Sequence, residues 1–517
     1  MDSFLKSRQA PLLLLVILLA IAFLTVVVTV DTVDNDTYWL LALGQDVIEN
    51  GVPHTDPLSM HSSMAYVSQQ WLSAVIFRGT YNAFGLAGIS ALCRVADVII
   101  VALAFVFCKE IGMNKRAAAL TAFLAGFALV AVFGVARPHL FTYILFLVTA
   151  ILLERFVKTG KFRYLIPLPF LSALQINLHA SMWLLMIVLY APYLVGEAVE
   201  WLKQKAKENP DEPKPENEKK VWKFLPTLCA CAVSAVAGLL NPYGIQSVTY
   251  LFRSYGVKSI SENVTEMQPV SLSKGPAALI LVIAGFVLVA LLRKHIRVRH
   301  ILLFAGMAAL TLSSAKGLSY LLLFGVPALV CGISNWMNEK WPPTSEEQPK
   351  KNRKVLVTVL LCVLSFAVVF GGIVKDGVKW SGDVRNAEQF GAKDAAVCVE
   401  SAGLQKEHTI YTDYNTGGYF EFLGYKPYLD ARAEAFITQN NGEFDYFVEY
   451  GKASVHIQYS KALLNKYQFD FIVADQYDAV HMLLEYQTEL GICEYEKLPY
   501  GSEEEPAELN VWQKKNS

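Results

Sequence analysis

Long apolar runs alternate with short polar segments over the first three quarters of the chain. Residues 11–30 contain no charged side chain, and similar runs recur as far as residue 374. A helix of about 20 apolar residues crosses the ~30 Å hydrocarbon core of a bilayer. The pattern predicts a mainly α, polytopic helical bundle with eleven transmembrane helices, near residues 11–30, 86–108, 117–135, 140–157, 164–178, 181–200, 223–240, 276–292, 301–314, 318–334 and 355–374.

Two hydrophobic segments, residues 11–30 and 70–84, are not assigned by hydrophobicity alone. Residues 11–30 are predicted to be a span and not a cleaved signal peptide, because the run is long and no clear small-residue cleavage site follows it. Residues 70–84 are short and contain Arg78. Counting them as a twelfth span would reverse the side of every later loop. They are therefore predicted to form an interfacial helix along the outer leaflet.

The last part of the chain has a different pattern, with amphipathic helices and short strands in alternation. Such alternation predicts a small α/β domain with its own core. The chain is therefore divided into a membrane domain, residues 1–374, and a tail domain, residues 375–517. Within the tail the predicted helices lie at 385–403, 455–467 and 477–489, and the predicted strands at 408–412, 469–474 and 508–513.

Composition supports the membrane class and excludes nucleic acid as a partner. The 517 residues are 54% hydrophobic and 18% charged, against about 25% charged in a soluble domain, and the mean hydropathy is +0.35. The net charge of −1 leaves no basic field for nucleic acid. Cys398 and Cys493 both lie in the tail, and a disulfide between them stays open because spacing alone does not give their separation.

The distribution of Lys and Arg predicts the orientation of the chain. Positive residues mark cytoplasmic loops, and Lys6 and Arg8 precede the first span. Residues 31–77 contain no Lys or Arg, so the acidic loop 31–85 is predicted to lie outside. An odd number of spans then places the tail outside as well. The prediction is a multi-pass protein of the cell membrane with a cytoplasmic N-terminus.

The outside loop begins with an acidic motif, Asp34-Asn35-Asp36, directly after the first span. Carboxylates at a membrane surface are costly unless water, a cation or a reaction uses them. Such a carboxylate can take a proton from an acceptor hydroxyl, or hold a divalent cation against a phosphate. The alternative is a polar turn that caps a helix beginning near Tyr38. The sequence leaves open whether a divalent cation is a cofactor.

Further polar residues mark the other predicted outside loops. One interpretation is that the cations reach lipid headgroups and that the acidic loop simply turns back on the membrane. The other is that the two cations bind a lipid-linked phosphate while the histidines and the remaining acid bind substrate or metal. The candidate substrate-binding residues are Arg137, His139, His179, Lys316, His54 and Asp56.

The order of several motifs resembles the GT-C superfamily of integral membrane glycosyltransferases, in a prokaryotic branch that uses polyprenyl-phosphate sugars. The motifs that carry this resemblance are Asp34-Asn35-Asp36, Gly51-Val52-Pro53-His54-Thr55-Asp56-Pro57, Gln70-Trp71-Leu72, Ala136-Arg137-Pro138-His139, Asn177-Leu178-His179, Asn241-Pro242-Tyr243-Gly244, Gly417-Gly418-Tyr419 and Asp430-Ala431-Arg432. The resemblance implies a general base in the first outside loop, a lipid phosphate as leaving group and inversion at the anomeric centre. Several relatives have a second acid in the second outside loop, where this chain has Arg137 and His139.

Elementary chemistry agrees with this implication. A phosphate leaves as a stable anion, so the enzyme needs cations to hold it and one base for the acceptor. The predicted function is transfer of a hexose-like sugar from a polyprenyl-phosphate donor to a lipid, glycan or protein acceptor outside the membrane. Asp36 is predicted to be the base because it begins the helix that passes Tyr38 and Trp39, and Asp34 is predicted to pair with a cation or with Arg137.

Two alternatives from other classes remain. A transporter or flippase of lipid-linked glycans would have paired broken helices and charges near the bilayer midplane, whereas the charges here are interpreted as lying at the outer ends of the spans. A non-catalytic membrane scaffold would leave Asp34 and Asp36 without a role. The tail is predicted to be accessory, with the Gly417-Gly418 turn, Asp430 and Arg432 orienting the acceptor, unless the last two only form a partly exposed ion pair.

Overall fold

The structure is a computed structural model that describes residues 33–206, 223–254, 256–264, 267–340, 391–499 and 509–515. The predicted spans at 11–30 and 355–374 lie outside these residues. The helices up to residue 340 are α1 (Asn35–Asn50), α2 (Trp71–Ile111), α3 (Lys115–Phe133), α4 (His139–Thr159), α5 (Leu168–Leu178), α6 (Ala180–Val188), α7 (Ala191–Lys205), α8 (Phe224–Ala237), α9 (Ile245–Ser254), α10 (Lys258–Asn263), α11 (Pro276–Leu292), α12 (Val298–Ser313) and α13 (Ala315–Lys340).

The predicted spans within the described residues coincide with helices. By length and composition, four helical segments there are apolar enough to cross a membrane: α2, α4, Ala180–Lys203 and α13. The shorter apolar helices α8, α11 and α12 accompany them. Each predicted span between residues 86 and 334 overlaps one or more of the helices α2 to α13. The chain is thus a helical membrane protein, and the count of eleven spans stays a prediction.

Helix α2 is interrupted at Gly85, which has a φ of 62° and a ψ of −158°. A positive φ of this kind is accessible to glycine at little cost and breaks the helical hydrogen-bond pattern. The break separates a short helix beginning at Trp71 from the long apolar segment that ends at Ile111. This agrees with the prediction that residues 70–84 and 86–108 are two different helices.

Charged groups also lie inside the helical bundle, contrary to the expectation that they cluster at the outer ends of the spans. Arg94 Nη1 lies 3.4 Å from Asp97 Oδ2, and the Asp97 side chain is 1% exposed. Glu154 is fully buried and accepts hydrogen bonds from Arg299 Nη2 at 2.8 Å and His300 Nε2 at 2.9 Å. Each of these acids has a basic partner, which is how a buried charge is tolerated.

The described part of the tail is a small mixed sheet covered by short helices. Strand β1 is parallel to β2, with Ile410 opposite Phe471, and the remaining pairs are antiparallel in the order β1-β2-β4-β3. The strands are β1 (Ile410–Thr412), β2 (Phe471–Asp475), β3 (Tyr495–Lys497) and β4 (Leu509–Lys514). The helices are α14 (Ala392–Ser401), α15 (Gly417–Phe422), α16 (Thr438–Asn441), α17 (Tyr446–Ala453), α18 (Ile457–Tyr467) and α19 (Ala479–Glu489).

Most predicted elements of the tail coincide with observed ones. The predicted strands match β1, β2 and β4, and the two later predicted helices match α18 and α19. Four elements were not predicted: β3, α15, α16 and α17. They have 3, 6, 4 and 8 residues, too few for a periodic pattern to emerge. Cys398 and Cys493 are both free cysteines, so the disulfide that the sequence left open is not formed.

The tail packs directly on α1 through the first turn of α15. Tyr38 of α1 makes edge-to-face contacts with Tyr419 at 5.0 Å and Phe422 at 5.5 Å between ring centroids. A Cβ atom on Gly418 would lie 3.1 Å from the Asn35 carbonyl oxygen and 3.3 Å from Trp39. The glycine pair therefore begins a helix that approaches α1 closely, and its role in orienting the acceptor stays a prediction.

Replacing Gly417 with alanine is expected to destabilise the packing of α15 against the segment that ends at Leu429, within the tail. The added Cβ would collide with the Leu429 carbonyl oxygen, and overpacking of this kind costs about 1–3 kcal/mol. Thermal melting of the detergent-solubilised protein, followed by fluorescence-detected size exclusion, measures the effect. Gly451→Ala is the matched control, because a Cβ atom there meets nothing within 4 Å. Equal melting temperatures for the two variants would contradict the close approach.

Candidate active site

The acidic motif lies at the N-terminus of α1, and Asp34 is the N-cap residue of that helix. Asp34 Oδ1 accepts a hydrogen bond from the Thr37 backbone amide at 3.1 Å, and the Asp34 amide donates to Thr37 Oγ1 at 3.1 Å. This reciprocal capping box follows from the Asp-x-x-Thr spacing. It fixes the direction of the Asp34 carboxylate at the start of the helix.

Arg137 bridges the two carboxylates of the motif. Its Nε lies 2.6 Å from Asp34 Oδ2, and its Nη1 lies 3.0 Å from Asp36 Oδ2. The arginine belongs to the short connection between α3 and α4, which Thr37 also contacts through the Ala136 carbonyl oxygen at 3.4 Å. The side chains of Asp34, Asp36 and Arg137 are 16%, 23% and 22% exposed, so the cluster is partly shielded and still open to a ligand.

The positions of Asp34 and Asp36 differ from those on which the sequence-based assignment of their roles depended. The helix cap was assigned to Asp36, but Asp34 holds that position. Arg137 was assigned to Asp34 alone, but it contacts both carboxylates. Asp36 lies in the first turn, and its Oδ1 is 3.4 Å from the Trp39 indole nitrogen. Both acids remain candidates for chemistry, in surroundings that differ.

Three other predicted substrate-binding residues, His139, His179 and Lys316, lie near one another in the bundle. His139 Nε2 is 2.7 Å from the Phe133 carbonyl oxygen, and His179 Nδ1 is 3.0 Å from Thr142 Oγ1. Lys316 is within electrostatic range of both imidazoles, and Arg137 is within range of His139. The structure thus gathers the two predicted phosphate-binding cations, Arg137 and Lys316, around the same pair of histidines.

His54 and Asp56, by contrast, do not form a common site. The His54 ring is exposed and packs on Tyr243, with 5.2 Å between centroids. Asp56 is 1% exposed, and its Oδ1 lies 2.6 Å from Arg432 Nη1. Its Oδ2 accepts a hydrogen bond from Ser59 Oγ at 2.5 Å. Asp56 is therefore out of reach of a substrate in this structure and is part of the contact between the acidic loop and the tail.

Arg432 is the centre of a fully buried cluster of three acids. It donates to both oxygens of Asp430, with Nη2 2.6 Å from Oδ2, and to Glu421 Oε1 at 3.2 Å in addition to Asp56. Its side chain is 2% exposed and the acids are 0% exposed. The expected partly exposed Asp430–Arg432 bridge is wrong, because the acidic loop and α15 cover the pair.

Burial favours the neutral form of one acid in this cluster. Burial, followed by the charge of Asp430, raises the pKa of Glu421 well above its ordinary value. Burial also acts to raise the pKa of Asp56, but the charge and hydrogen bonds of Arg432 outweigh it and the pKa is lowered. The sequence motifs did not indicate Glu421, since one acid among aromatic residues carries no signal of its partner.

Arg432 also lies close to Trp39, the aromatic residue that contacts Asp36 of the acidic motif. Its guanidinium carbon is 5.8 Å from the centroid of the Trp39 ring, and the Trp39 indole faces Asp36. Glu434, two residues further on, accepts a hydrogen bond from Gln69 Nε2 at 2.5 Å and lies within electrostatic range of Lys316. Burial raises the pKa of Glu434. Glu434 of the tail therefore lies beside Gln69 and Lys316, two residues of the predicted outside loops.

A metal centre is not evident in the part of the chain that the structure describes. No group of three or more His, Cys, Asp or Glu side chains suited to a metal ion occurs among those residues. The acidic motif instead has the Arg137 guanidinium as its cation. An arrangement of two carboxylates around one arginine can accept a proton and can present a positive group to a phosphate.

Two solved membrane enzymes share the fold. An oligosaccharyltransferase from Archaeoglobus fulgidus, tethered to an acceptor peptide containing the NVT sequon, aligns with a TM-score of 0.55 at 11% identity, over 92% of this chain and 70% of its own. ArnT from Cupriavidus metallidurans in the apo state aligns with a TM-score of 0.51 at 13% identity, over 98% of each chain. The chain matches no protein-family model and no curated protein sequence.

Both of these enzymes are GT-C glycosyltransferases. The resemblance to the GT-C superfamily that the motifs indicated is therefore confirmed at the level of the fold. At 11–13% identity the alignments show a shared architecture. They do not identify which residues of this chain carry out chemistry.

Proposed function

We propose that this chain is a membrane glycosyltransferase that moves a sugar from a polyprenyl-phosphate donor to an acceptor hydroxyl or amide. The observation that carries the proposal is the Asp34–Arg137–Asp36 cluster, in which one guanidinium joins two partly exposed carboxylates. The GT-C-like fold supports it, since both structural relatives are enzymes of that superfamily. In a scaffold the cluster would serve only to cap α1 and to hold the connection between α3 and α4.

The proposed reaction is a single displacement at the anomeric carbon. The acceptor oxygen or nitrogen forms a bond to that carbon while the bond to the donor phosphate breaks, and the configuration inverts. The acceptor proton passes to a carboxylate of the acidic motif. The lipid phosphate leaves as an anion, with Arg137 and Lys316 nearby to offset its charge. Arg137 is well suited to this exchange because its planar fork binds carboxylates and phosphates alike.

Asp36 is the proposed base, for a reason that differs from the one the sequence offered. Both Asp34 oxygens are engaged, Oδ1 by Thr37 in the capping box and Oδ2 by Arg137 Nε at 2.6 Å. Asp36 makes longer contacts, at 3.0 Å to Arg137 and 3.4 Å to Trp39, and its side chain is more exposed. Asp34 is then the residue that holds Arg137 in place.

The proposed acceptor is a large molecule outside the cell membrane, on the same side as the tail and the acidic loop. The Archaeoglobus enzyme carries an acceptor peptide, which supports a large acceptor for this chain, whether protein, glycan or lipid. Residues 1–374 would form the membrane domain, and residues 375–517 would lie outside the cell membrane with the acidic loop. The contact of Arg432 with Asp56 supports a placement of the tail and that loop on one side of the membrane.

Replacing Arg137 with glutamine is expected to weaken binding of the donor. Loss of a charge-assisted hydrogen bond costs about 1.5–3 kcal/mol, which corresponds to a rise in the donor KM of roughly 10- to 100-fold. Arg137→Lys should recover part of the loss. Steady-state kinetics with a lipid-linked sugar measure it, and Arg163→Gln is the control, since Arg163 is exposed. An unchanged KM in Arg137→Gln would remove Arg137 from the donor site.

The orientation of the tail is expected to be extracytoplasmic. A cysteine introduced at Val455, which is 67% exposed, should react with a membrane-impermeant maleimide in intact cells. A cysteine at Lys203, exposed at the end of α7, should react only after permeabilisation because that loop is predicted to be cytoplasmic. The reverse pattern would place the tail and the acidic loop inside the cell.

A further inference from the structure

A cavity of about 540 Å³ opens in the tail, apart from the acidic motif. Its lining includes Asp413, Asn415, Tyr450, Asp475, Tyr477 and Asp478. Asp413 directly follows β1, and Asp475 ends β2, the two parallel strands of the sheet. Ligands of α/β proteins bind outside the carboxyl ends of parallel strands, and the volume is that of a small-molecule site.

The walls of the cavity are rigid. Asp413 Oδ1 accepts hydrogen bonds from the amides of Asn415 at 2.7 Å and Thr416 at 3.1 Å. Asp478 caps α19 through the Val480 amide at 2.8 Å and accepts the Tyr411 hydroxyl hydrogen at 2.8 Å. Burial raises the pKa of Asp478 to about 7. A ligand would therefore meet groups that are already fixed in direction, which lowers the entropy lost on binding.

Other groups of the lining are available to a ligand. Asp475 Oδ1 accepts the Tyr477 amide hydrogen at 2.7 Å, and among the described residues its Oδ2 takes no hydrogen bond. The Tyr477 ring is 77% exposed. The lining contains no Lys or Arg among the residues that the structure describes. The three acids disfavour a phosphate, and their oxygens, together with the amide of Asn415, suit a ligand rich in hydroxyl groups.

One wall of the cavity touches the acidic motif. Asn415 Oδ1 accepts a hydrogen bond from Asn35 Nδ2 at 3.1 Å, and Asn35 lies between Asp34 and Asp36 in the chain. The wall of the cavity and the acidic motif are therefore in direct contact through these two asparagines.

We propose that this cavity binds a sugar unit of a glycan acceptor. Carboxylates and amides at its walls pair with sugar hydroxyl groups, and the exposed Tyr477 ring offers a face for the C–H side of a pyranose. The inference rests on the proposed function, since it assigns the acceptor of that reaction to the glycan class. The cavity would give the enzyme a second contact with the acceptor, away from the transferred sugar. That contact would determine which acceptor is used.

The test is saturation-transfer NMR on the full-length protein in lipid nanodiscs. The probe is the set of neutral oligosaccharides released by hydrolysis from the envelope of the source cell. The parent protein should transfer saturation to sugar protons, and Tyr477→Ala and Asp475→Asn should each weaken the apparent affinity by about 10-fold. Tyr486→Ala is the matched control, because Tyr486 is a 57% exposed tyrosine of α19 that does not line the cavity.

Each outcome decides the inference. Loss of the signal in both cavity variants, with Tyr486→Ala equal to the parent, supports a glycan site. Absence of saturation transfer in the parent, equal signals in all variants, or transfer to a lysine-rich peptide in place of the sugars would overturn it. The measurement needs no donor, so its failure is distinct from failure of the glycosyltransferase proposal, which turnover of a lipid-linked sugar tests separately. Tyr477→Ala keeps the test meaningful should Asp475→Asn misfold.

Discussion

Replacing Asp36 with asparagine is expected to lower the rate of sugar transfer by about 10²–10⁴-fold, the contribution of a general base. Asparagine keeps the shape of the side chain but cannot accept the acceptor proton. The Asp36 side chain is 23% exposed, so its replacement should not unfold the protein or abolish binding of the donor lipid. Single-turnover kinetics with a labelled lipid-linked sugar measure the rate, and a thermal melt verifies the fold.

Two further variants make this result specific. Glu49→Gln removes an exposed acid from the other end of α1 and should leave the rate unchanged. Asp34→Asn should lower the rate with little effect on the melting temperature, because asparagine can keep the N-cap hydrogen bond to Thr37 but loses the charge that pairs with Arg137. Transfer within about twofold of the parent in Asp36→Asn, with Asp34→Asn inactive, would move the base to Asp34.

Replacing Arg432 with methionine is expected to destabilise the protein by about 3–5 kcal/mol, because it leaves buried carboxylates without their cation. Asp56 and Asp430 are fully buried around Arg432, and they join the acidic loop to the tail. Thermal melting in detergent measures the loss, and Arg163→Met is the control at an exposed site.

A compensating variant separates charge imbalance from a simple loss of packing. Arg432→Met combined with Asp56→Asn and Asp430→Asn removes the unpaired charges and should recover a large part of the melting temperature. If Arg432→Met melted at the parent temperature, the cluster would not hold the tail on the acidic loop.

The sequence predicted those features that depend on the order of residues along the chain. Apolar length located the helices between residues 86 and 334. The short length of residues 70–84 and the charge of Arg78 set that segment apart from the long helix, and the structure has the break between them at Gly85. The same signals gave three of the four strands, because each carries an apolar run that lies in the core.

Features that depend on pairing across the chain were not accessible in this way. Arg432 is 376 residues from Asp56 in the sequence, and nothing in either motif indicates that they meet. The bridge of Arg137 to both acids joins residues about 100 positions apart. The cap at Asp34 was a local feature that the spacing to Thr37 indicated, but the helix was predicted to begin later, near Tyr38.

The most direct measurement is turnover of the donor by the purified full-length protein in nanodiscs. Radiolabelled lipid-linked sugars extracted from source-cell membranes serve as donor, and chromatography follows release of the lipid phosphate in the presence of envelope acceptors. The parent protein is predicted to release lipid phosphate and to label the acceptor, and the Asp34→Asn/Asp36→Asn double variant to do neither. Equal turnover by the double variant and the parent would contradict a role for the acidic motif in sugar transfer.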